Sequence, residues 1–336
     1  MIDMTVNGHW LPIFMMMIMG LALLLYVILD GFDLGIGILM HFSQENHRER
    51  MLSTIAPFWD ANETWLVLGI GVMLVAFPKA NGIIFGHLYF PITLMLIGLI
   101  LRGVSFDFRA KVATRNKKRW ESFFILGSLL TTLAQGYMLS SYILGFHMDG
   151  LGFLFTLFVT FGLLATYTLL GACWLLIKTS NDLQTRALEW AKKSLVGFGV
   201  GLLTISLVTP LVSNTIFEKW FAFPNILVLL PIPLLSIICI AFLYYLLNKQ
   251  PDVINRYTWL PLVLTTLLVT FCFNGLAYSF YPYIILDELT VWDASISLSS
   301  LQMIFYGIVL VLPFIFAWTV YAHWTFRGKL EKVSYY

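Results

Sequence analysis

Nine apolar runs, each long enough to cross a bilayer, take up most of this chain, and no other feature constrains its fold as strongly. A hydrocarbon core needs about 20 mostly apolar residues per helix. The runs lie near residues 11–40, 56–78, 80–106, 121–146, 151–178, 195–217, 223–248, 257–283 and 300–326. They lack the two-residue alternation of barrel strands, so each reads as a helix. Charged residues make up 11% of the chain, against about 25% in a soluble domain. Mean hydropathy is +0.84. The expected fold is all-α, a polytopic membrane protein with nine transmembrane helices in one integral membrane domain over residues 1–336. No cleavable signal peptide is expected, because the first run has few basic residues before it and is long enough to span.

Lys and Arg set the expected orientation. One set of loops carries Arg48 and Arg50; Arg109, Lys111, Arg115, Lys117, Lys118 and Arg119; Lys178, Arg186, Lys192 and Lys193; Lys249 and Arg256; and Arg327, Lys329 and Lys332. The opposite set carries Lys79 and Lys219. This asymmetry predicts an odd number of crossings, with the N-terminus outside and the C-terminus cytoplasmic. Between Thr179 and Ser194, Leu183, Ala187, Trp190 and Ala191 fall on one face, which predicts a surface helix lying in the interface.

Two stretches break the apolar pattern with carboxylates, Leu29-Asp30-Gly31-Phe32-Asp33-Leu34-Gly35 and Ala56-Pro57-Phe58-Trp59-Asp60-Ala61-Asn62-Glu63-Thr64-Trp65. An acid at the centre of a membrane helix costs about 2.5–3.5 kcal/mol on insertion scales, so such acids are candidates for ion, proton or partner contacts. Asp30 and Asp33 are three apart and share a helical face, as do Asp60 and Glu63. Two carboxylates at that spacing repel when both are ionised, which suits groups that take up and release a proton. A plainer role stays open for each pair: salt bridges for Asp30 and Asp33, and helix-dipole partners for Asp60 and Glu63. The loop charges put both stretches on the cytoplasmic side. Arg102 and Asp107, at the same end of the third helix, complete an expected charged cluster, with Asp107, Asp60 and Asp30 as partners open to Arg102. Trp59 and Asn62 crowd the same turn as Asp60.

Other chemistry finds little support. Cys173, Cys239 and Cys272 are isolated, so neither a zinc site nor a disulfide framework is expected. Phosphate-loop, dinucleotide and HExxH motifs are missing, and no metal site is expected. The six histidines show no pairing at helical spacing, which argues against a haem held wholly by this chain. A net charge of +2 gives no reason to expect a nucleic-acid partner. A proton-coupled transporter or channel would also use buried acids, but no inverted repeat or matched pair of broken helices is visible. A purely structural membrane subunit is a further alternative.

The two acidic stretches, together with Ile97-Gly98-Leu99-Ile100-Leu101-Arg102-Gly103-Val104-Ser105-Phe106-Asp107-Phe108-Arg109, Tyr281-Pro282 and Leu289-Thr290-Val291-Trp292-Asp293-Ala294-Ser295, resemble the signatures of subunit II of cytochrome bd-type quinol oxidases. These motifs run from the first helix to the loop before the last, and their wording and the short length resemble the cyanide-insensitive branch more than longer relatives. The resemblance implies a nine-helix subunit, two four-helix bundles and one peripheral helix, in the bacterial cytoplasmic (inner) membrane. It implies a heterodimer with a larger subunit I, which holds haem b and haem d and oxidises quinol while reducing oxygen to water without pumping protons. Some members carry a structural quinone in subunit II, and small accessory subunits and membrane lipid are further expected partners. In the family, the acids matching Asp30 and Asp60 are tied to haem stability and to a cytoplasmic proton path. Asp60, Asp30, Asp33 and Glu63 are therefore the expected relay or haem-site supports. Trp59, Asn62, Arg102 and Asp107 are expected to support them electrostatically at the subunit I interface.

Overall fold

In the computed structural model, residues 9–112, 114–147, 149–249 and 256–330 are described. Lys332, one of the loop cations counted above, lies outside them, as does the side chain of Arg115. The predicted runs become α1 (Trp10–Leu39), α3 (Trp59–Ala76), α4 (Pro78–Lys111), α5 (Thr114–Ile143), α6 (Gly150–Lys178) and α7 (Asn181–Val212). Further along come α8 (Asn214–Phe221), the adjoining α9 (Asn225–Leu229) and α10 (Pro231–Leu247), α11 (Leu260–Phe280) and α13 (Leu298–Thr325). Two short helices, α2 (Glu45–Ile55) and α12 (Val291–Ala294), lie in connections.

Eight described helical spans are long and apolar enough to cross a membrane. The remaining predicted run, α3, has 18 residues and carries Asp60, Asn62 and Glu63 in its first turns. Polar residues at its start shorten its apolar part.

Helix ends follow the local chemistry. Pro78 and Pro231 open α4 and α10, where a missing N–H costs nothing. Asp149 caps α6 by accepting from the Gly152 amide at 2.6 Å, and Ser297 caps α13 through the Ser300 amide.

The helices pack in two groups of four. α1, α3, α4 and α5 form one, and α6, α7, α10 and α11 the other, with α1 and α5 both lying on α6 across the seam. Helix α13 leans on α1 and α3. Of its residues only Leu301 is buried. Phe314, Trp318, Tyr321 and many other large apolar side chains point outward, as hydrocarbon solvent allows. Small residues set the closest approaches. A Cβ on Gly35 would stand 1.8 Å from the Tyr167 carbonyl oxygen, and one on Gly127 would stand 2.6 Å from that of Gly98. Backbones of α1 and α6, and of α4 and α5, therefore touch.

The predicted interfacial helix after Lys178 does not form as a separate element. Only Thr179 and Ser180 separate α6 from α7, Asn181 turns the chain with φ 59°, and α7 then runs unbroken for 32 residues. Leu183, Ala187 and Ala191 are fully buried in the protein core, so the apolar face read as membrane-lying is a packing face.

The end opposite the basic loops is closed by the segment 281–297. Here a short antiparallel hairpin, β1 (Tyr283–Ile285) with β2 (Leu289–Thr290), leads into α12. Trp292 Nε1 donates to the His9 carbonyl at 3.1 Å, Lys79 Nζ to that of Asp293 at 3.0 Å, and the Ile296 amide to Ala76 at 3.1 Å. The Tyr142 hydroxyl donates to the Ile284 carbonyl. One motif thus ties together the ends of α1, α3, α4 and α5.

Candidate functional site

From Asp30 to Met40 every residue of this stretch is buried, because neighbouring helices wrap this half of α1. Two carboxylates on such a segment need partners, and the neighbouring helices supply them. Arg102 of α4 places Nη1 2.6 Å from Asp30 Oδ1, with side-chain exposures of 1% and 0%. Its Nη2 lies 3.4 Å from Glu63 Oε2 on α3, a side chain 25% exposed. Asn62, also on α3, donates Nδ2 to Asp33 Oδ2 at 2.9 Å and to the Leu29 carbonyl at 3.3 Å. A buried guanidinium between two carboxylates is stable only while both neighbours stay in place.

Several polar atoms around this point have no hydrogen-bond partner among the described residues. They are Asp30 Oδ2, Asp33 Oδ1, Asn62 Oδ1, Arg102 Nε and Nη2, and Trp65 Nε1. Buried polar atoms are normally satisfied, so their gathering at one place marks a site.

Sequence expectation and geometry agree for part of the set. Asp30, Asp33, Asn62, Glu63 and Arg102 come together. Asp60 stands in the first turn of α3 with its side chain exposed, one helical turn from Glu63. Trp59 packs between helices, its ring 5.1 Å from that of Phe106 and against Gly103. Asp107 is not brought in. It is exposed, further along α4, while Arg102 turns to Asp30 and Glu63 instead.

Around the same end, α2 is held by ion pairs that sequence spacing could not reveal. Glu45 meets Lys118 at 2.7 Å, Arg48 and Arg109 both reach Glu121 (3.2 and 2.9 Å), and His47 lies 3.4 Å from Asp182. The Lys118 hydrogen bond holds the Glu45 carboxyl below the usual carboxylate range. Burial pushes the His47 imidazole below its ordinary value despite Asp182. The reasoning from sequence also passed over Tyr26, Gln135 and Tyr167. Gln135, a lone carboxamide in an apolar run, was the available signal.

Among the described residues no histidine is ion-paired or hydrogen-bonded to the acids or arginine of the cluster, although His323 stacks on Phe58 at 4.5 Å. His9, His41, His87 and His147 are exposed, and His87 stacks flat on Phe146 at 4.6 Å. The His323 ring nitrogen Nδ1 lies 2.9 Å from the Thr319 carbonyl oxygen. Among the described residues no three His, Cys, Asp or Glu side chains are grouped to hold a metal ion.

Comparison with known proteins gives this geometry a family. The family model for cytochrome bd terminal oxidase subunit II matches residues 11–326. Cytochrome bd-I ubiquinol oxidase subunit 2 of Escherichia coli K12 is 27% identical over 362 residues, with 94% of each chain covered. Cytochrome bd ubiquinol oxidase subunit 2 of Bacillus subtilis 168 is 27% identical over 329 residues, covering 91% of this chain and 93% of that one. Among solved structures, a chain of the bd oxidase from Geobacillus thermodenitrificans superposes with a TM-score of 0.74 at 18% identity, over 94% of this chain and 98% of that one. That likeness confirms the fold. With the model matching nearly the whole length, the chain belongs to the cytochrome bd terminal oxidase subunit II family.

Proposed function

We propose that this chain scaffolds the haem-bearing subunit I of a quinol:oxygen oxidoreductase and forms part of its cytoplasmic proton inlet. The observation that carries this reading is the gradient of burial from Asp60, exposed, through Glu63, partly exposed, to Asp30, Asp33 and Arg102, sealed inside. The acids stand at the end where the basic loops gather. In this reading that end is cytoplasmic, nine helices cross the bacterial inner membrane, and the chain crosses as α3 despite its short apolar part.

In an assembled oxidase, haems would supply the electron transfer from quinol to oxygen. The histidines here do not offer a buried axial pair facing a common space, so the reading keeps haem b and haem d in subunit I. What this chain contributes is proton handling. Asp60 takes up a proton at the exposed start of α3. Glu63, on the same face, passes it inward to the Asp30 carboxylate on the far side of Arg102, whose guanidinium stays protonated throughout. Arg102 stands between Asp30 and Glu63 and pairs with both, so it ties the partly exposed acid to the sealed one. Asn62 fixes Asp33 from the other side. Oxygen reduction supplied with protons from one side is electrogenic without any pumping step.

Asp60→Asn in the purified oxidase, reconstituted in liposomes, tests this. Turnover and voltage generation fall at unchanged haem content if the reading is right. Parental turnover, voltage and haem content together would refute it.

A further inference from the structure

Next to the charged cluster, three polar side chains that the scheme above does not use are buried together. Tyr26 stands four residues before Asp30, on the same face of α1. Gln135 comes from α5 and Tyr167 from α6. Gln135 Nε2 donates to the Tyr26 hydroxyl oxygen at 2.6 Å, and the Tyr167 hydroxyl donates to Gln135 Oε1 at 2.6 Å. The Tyr167 ring can sit there because position 31 has no side chain, since a Cβ on Gly31 would come within 2.9 Å of it.

Tracing the protons through this set leaves one donor over. Tyr167 spends its proton on Gln135, and Gln135 spends an N–H on the Tyr26 oxygen. The Tyr26 O–H proton has no acceptor within the set. Asp30 shows the complementary defect: Arg102 occupies Oδ1, and buried Oδ2 has no partner. Tyr26 and Asp30 lie against each other. We propose that Tyr26 gives its hydroxyl proton to Asp30 Oδ2 as a hydrogen bond, and that Gln135 and Tyr167 fix it in that orientation. Tyr26 is then a positioning residue for the Asp30 carboxylate, an assignment that rests on the proton role proposed for Asp30. A carboxamide hands on no proton of its own, so the array ends at Gln135. It aims one donor and does not conduct.

The titratable groups facing Asp30 are Arg102 from α4, Glu63 from α3, Tyr26 and Asp33 from α1, and Tyr167 from α6, while α5 contributes the neutral Gln135. Removing the Tyr26 hydroxyl changes only one of these.

The test uses the purified two-subunit oxidase, with oxygen consumption followed from about pH 5 to about pH 9 alongside the haem absorbance spectrum. Tyr26→Phe and Gln135→Leu should each keep the parental spectrum. Each should move the pH profile of turnover upward by about 0.5–1 unit, the size of one lost hydrogen bond to a carboxylate. The double variant should move it no further than Tyr26→Phe, since both act through one contact. If Tyr26→Phe loses haem, Gln135→Leu, which leaves the phenol in place, decides on the same terms. An unmoved profile in Tyr26→Phe, beside a shifted one in Asp30→Asn, overturns the assignment of Tyr26 and leaves the proton reading standing. An unmoved profile in Asp30→Asn removes that reading and the proposal with it.

Discussion

Arg102 of α4 and Asp30 of α1 meet at 2.6 Å, 72 residues apart in sequence and with almost no exposure on either side chain. Removing one member of a buried pair leaves the other as an uncompensated charge, at a cost of about 3–5 kcal/mol. Arg102→Met should therefore sharply reduce the yield and melting temperature of the oxidase. The double variant Asp30→Asn/Arg102→Met should regain part of both, because the fully buried Asp30 charge is no longer left unpaired and only the partly exposed Glu63 lacks its partner. Melting followed by haem absorbance checks this. A double variant no more stable than Arg102→Met would mean that Arg102 acts through something other than its charge.

The contact of α1 with α6 makes a second, steric prediction. Gly35→Ala would drive a methyl group to 1.8 Å from the Tyr167 carbonyl oxygen, backbone that cannot step aside. Assembly should fail, read as loss of the haem-bearing complex from membranes. Gly71→Ala, on α3 with open space around the new Cβ, is the control and should assemble normally. Equal yields from the two would show that α1 and α6 do not touch as described.

Much of this architecture was legible because hydrocarbon leaves a chain few choices. Run length located all eight described helices that are long and apolar enough to cross a membrane, and the acidic stretches marked where α1 and α3 meet. What sequence could not supply was the direction of individual side chains. Asp107 looked as good a partner for Arg102 as Asp30, since both satisfy charge. Only the rotation of α4 about its axis decides between them, and periodicity over an apolar run with no polar face does not reveal that rotation. Asp60, expected beside Asp30, Asp33 and Glu63 as a relay acid, is the exposed member of that set, because it opens α3. The bonds joining Tyr26, Gln135 and Tyr167 span 109 and 32 residues, so no local spacing announces them. The face formed by Leu183, Ala187 and Ala191 fitted a lipid interface and a protein core equally well, because both are apolar.

Docking of α2 should depend on pH through His47. Burial lowers the pKa of its imidazole, so the folded state favours the neutral ring. Its contribution is complete above the unfolded-state value of about 6.5 and is lost as pH falls through the lower folded value. Amide protection in α2, with the intrinsic pH dependence of exchange divided out, should fall below about pH 6. His47→Gln should flatten that acid-side dependence. Persistence of the full pH dependence in the variant would assign it to another group, the Glu45–Lys118 pair foremost.

Lys178 makes the last prediction, because it fastens the otherwise exposed α13. Its ammonium lies 5.0 Å from the Trp174 ring and 5.5 Å from that of Phe58, and it donates to the Phe326 carbonyl just past the end of α13. The Leu330 amide returns a bond to the Lys178 carbonyl at 2.9 Å. A cation at a helix C-terminus, over two aromatic faces, contributes about 1–2 kcal/mol. Lys178→Met keeps the stem and removes the charge, so the spans should stay packed while the end of α13 opens more often. Tryptic cleavage at Arg327 and Lys329 should speed up about fivefold to thirtyfold, the population change that this free energy produces. Lys219→Met, at the other end of the molecule, should leave the rate alone. The same cleavage rate in Lys178→Met as in the parent would mean that the rings and the Leu330 bond hold α13 without the ammonium.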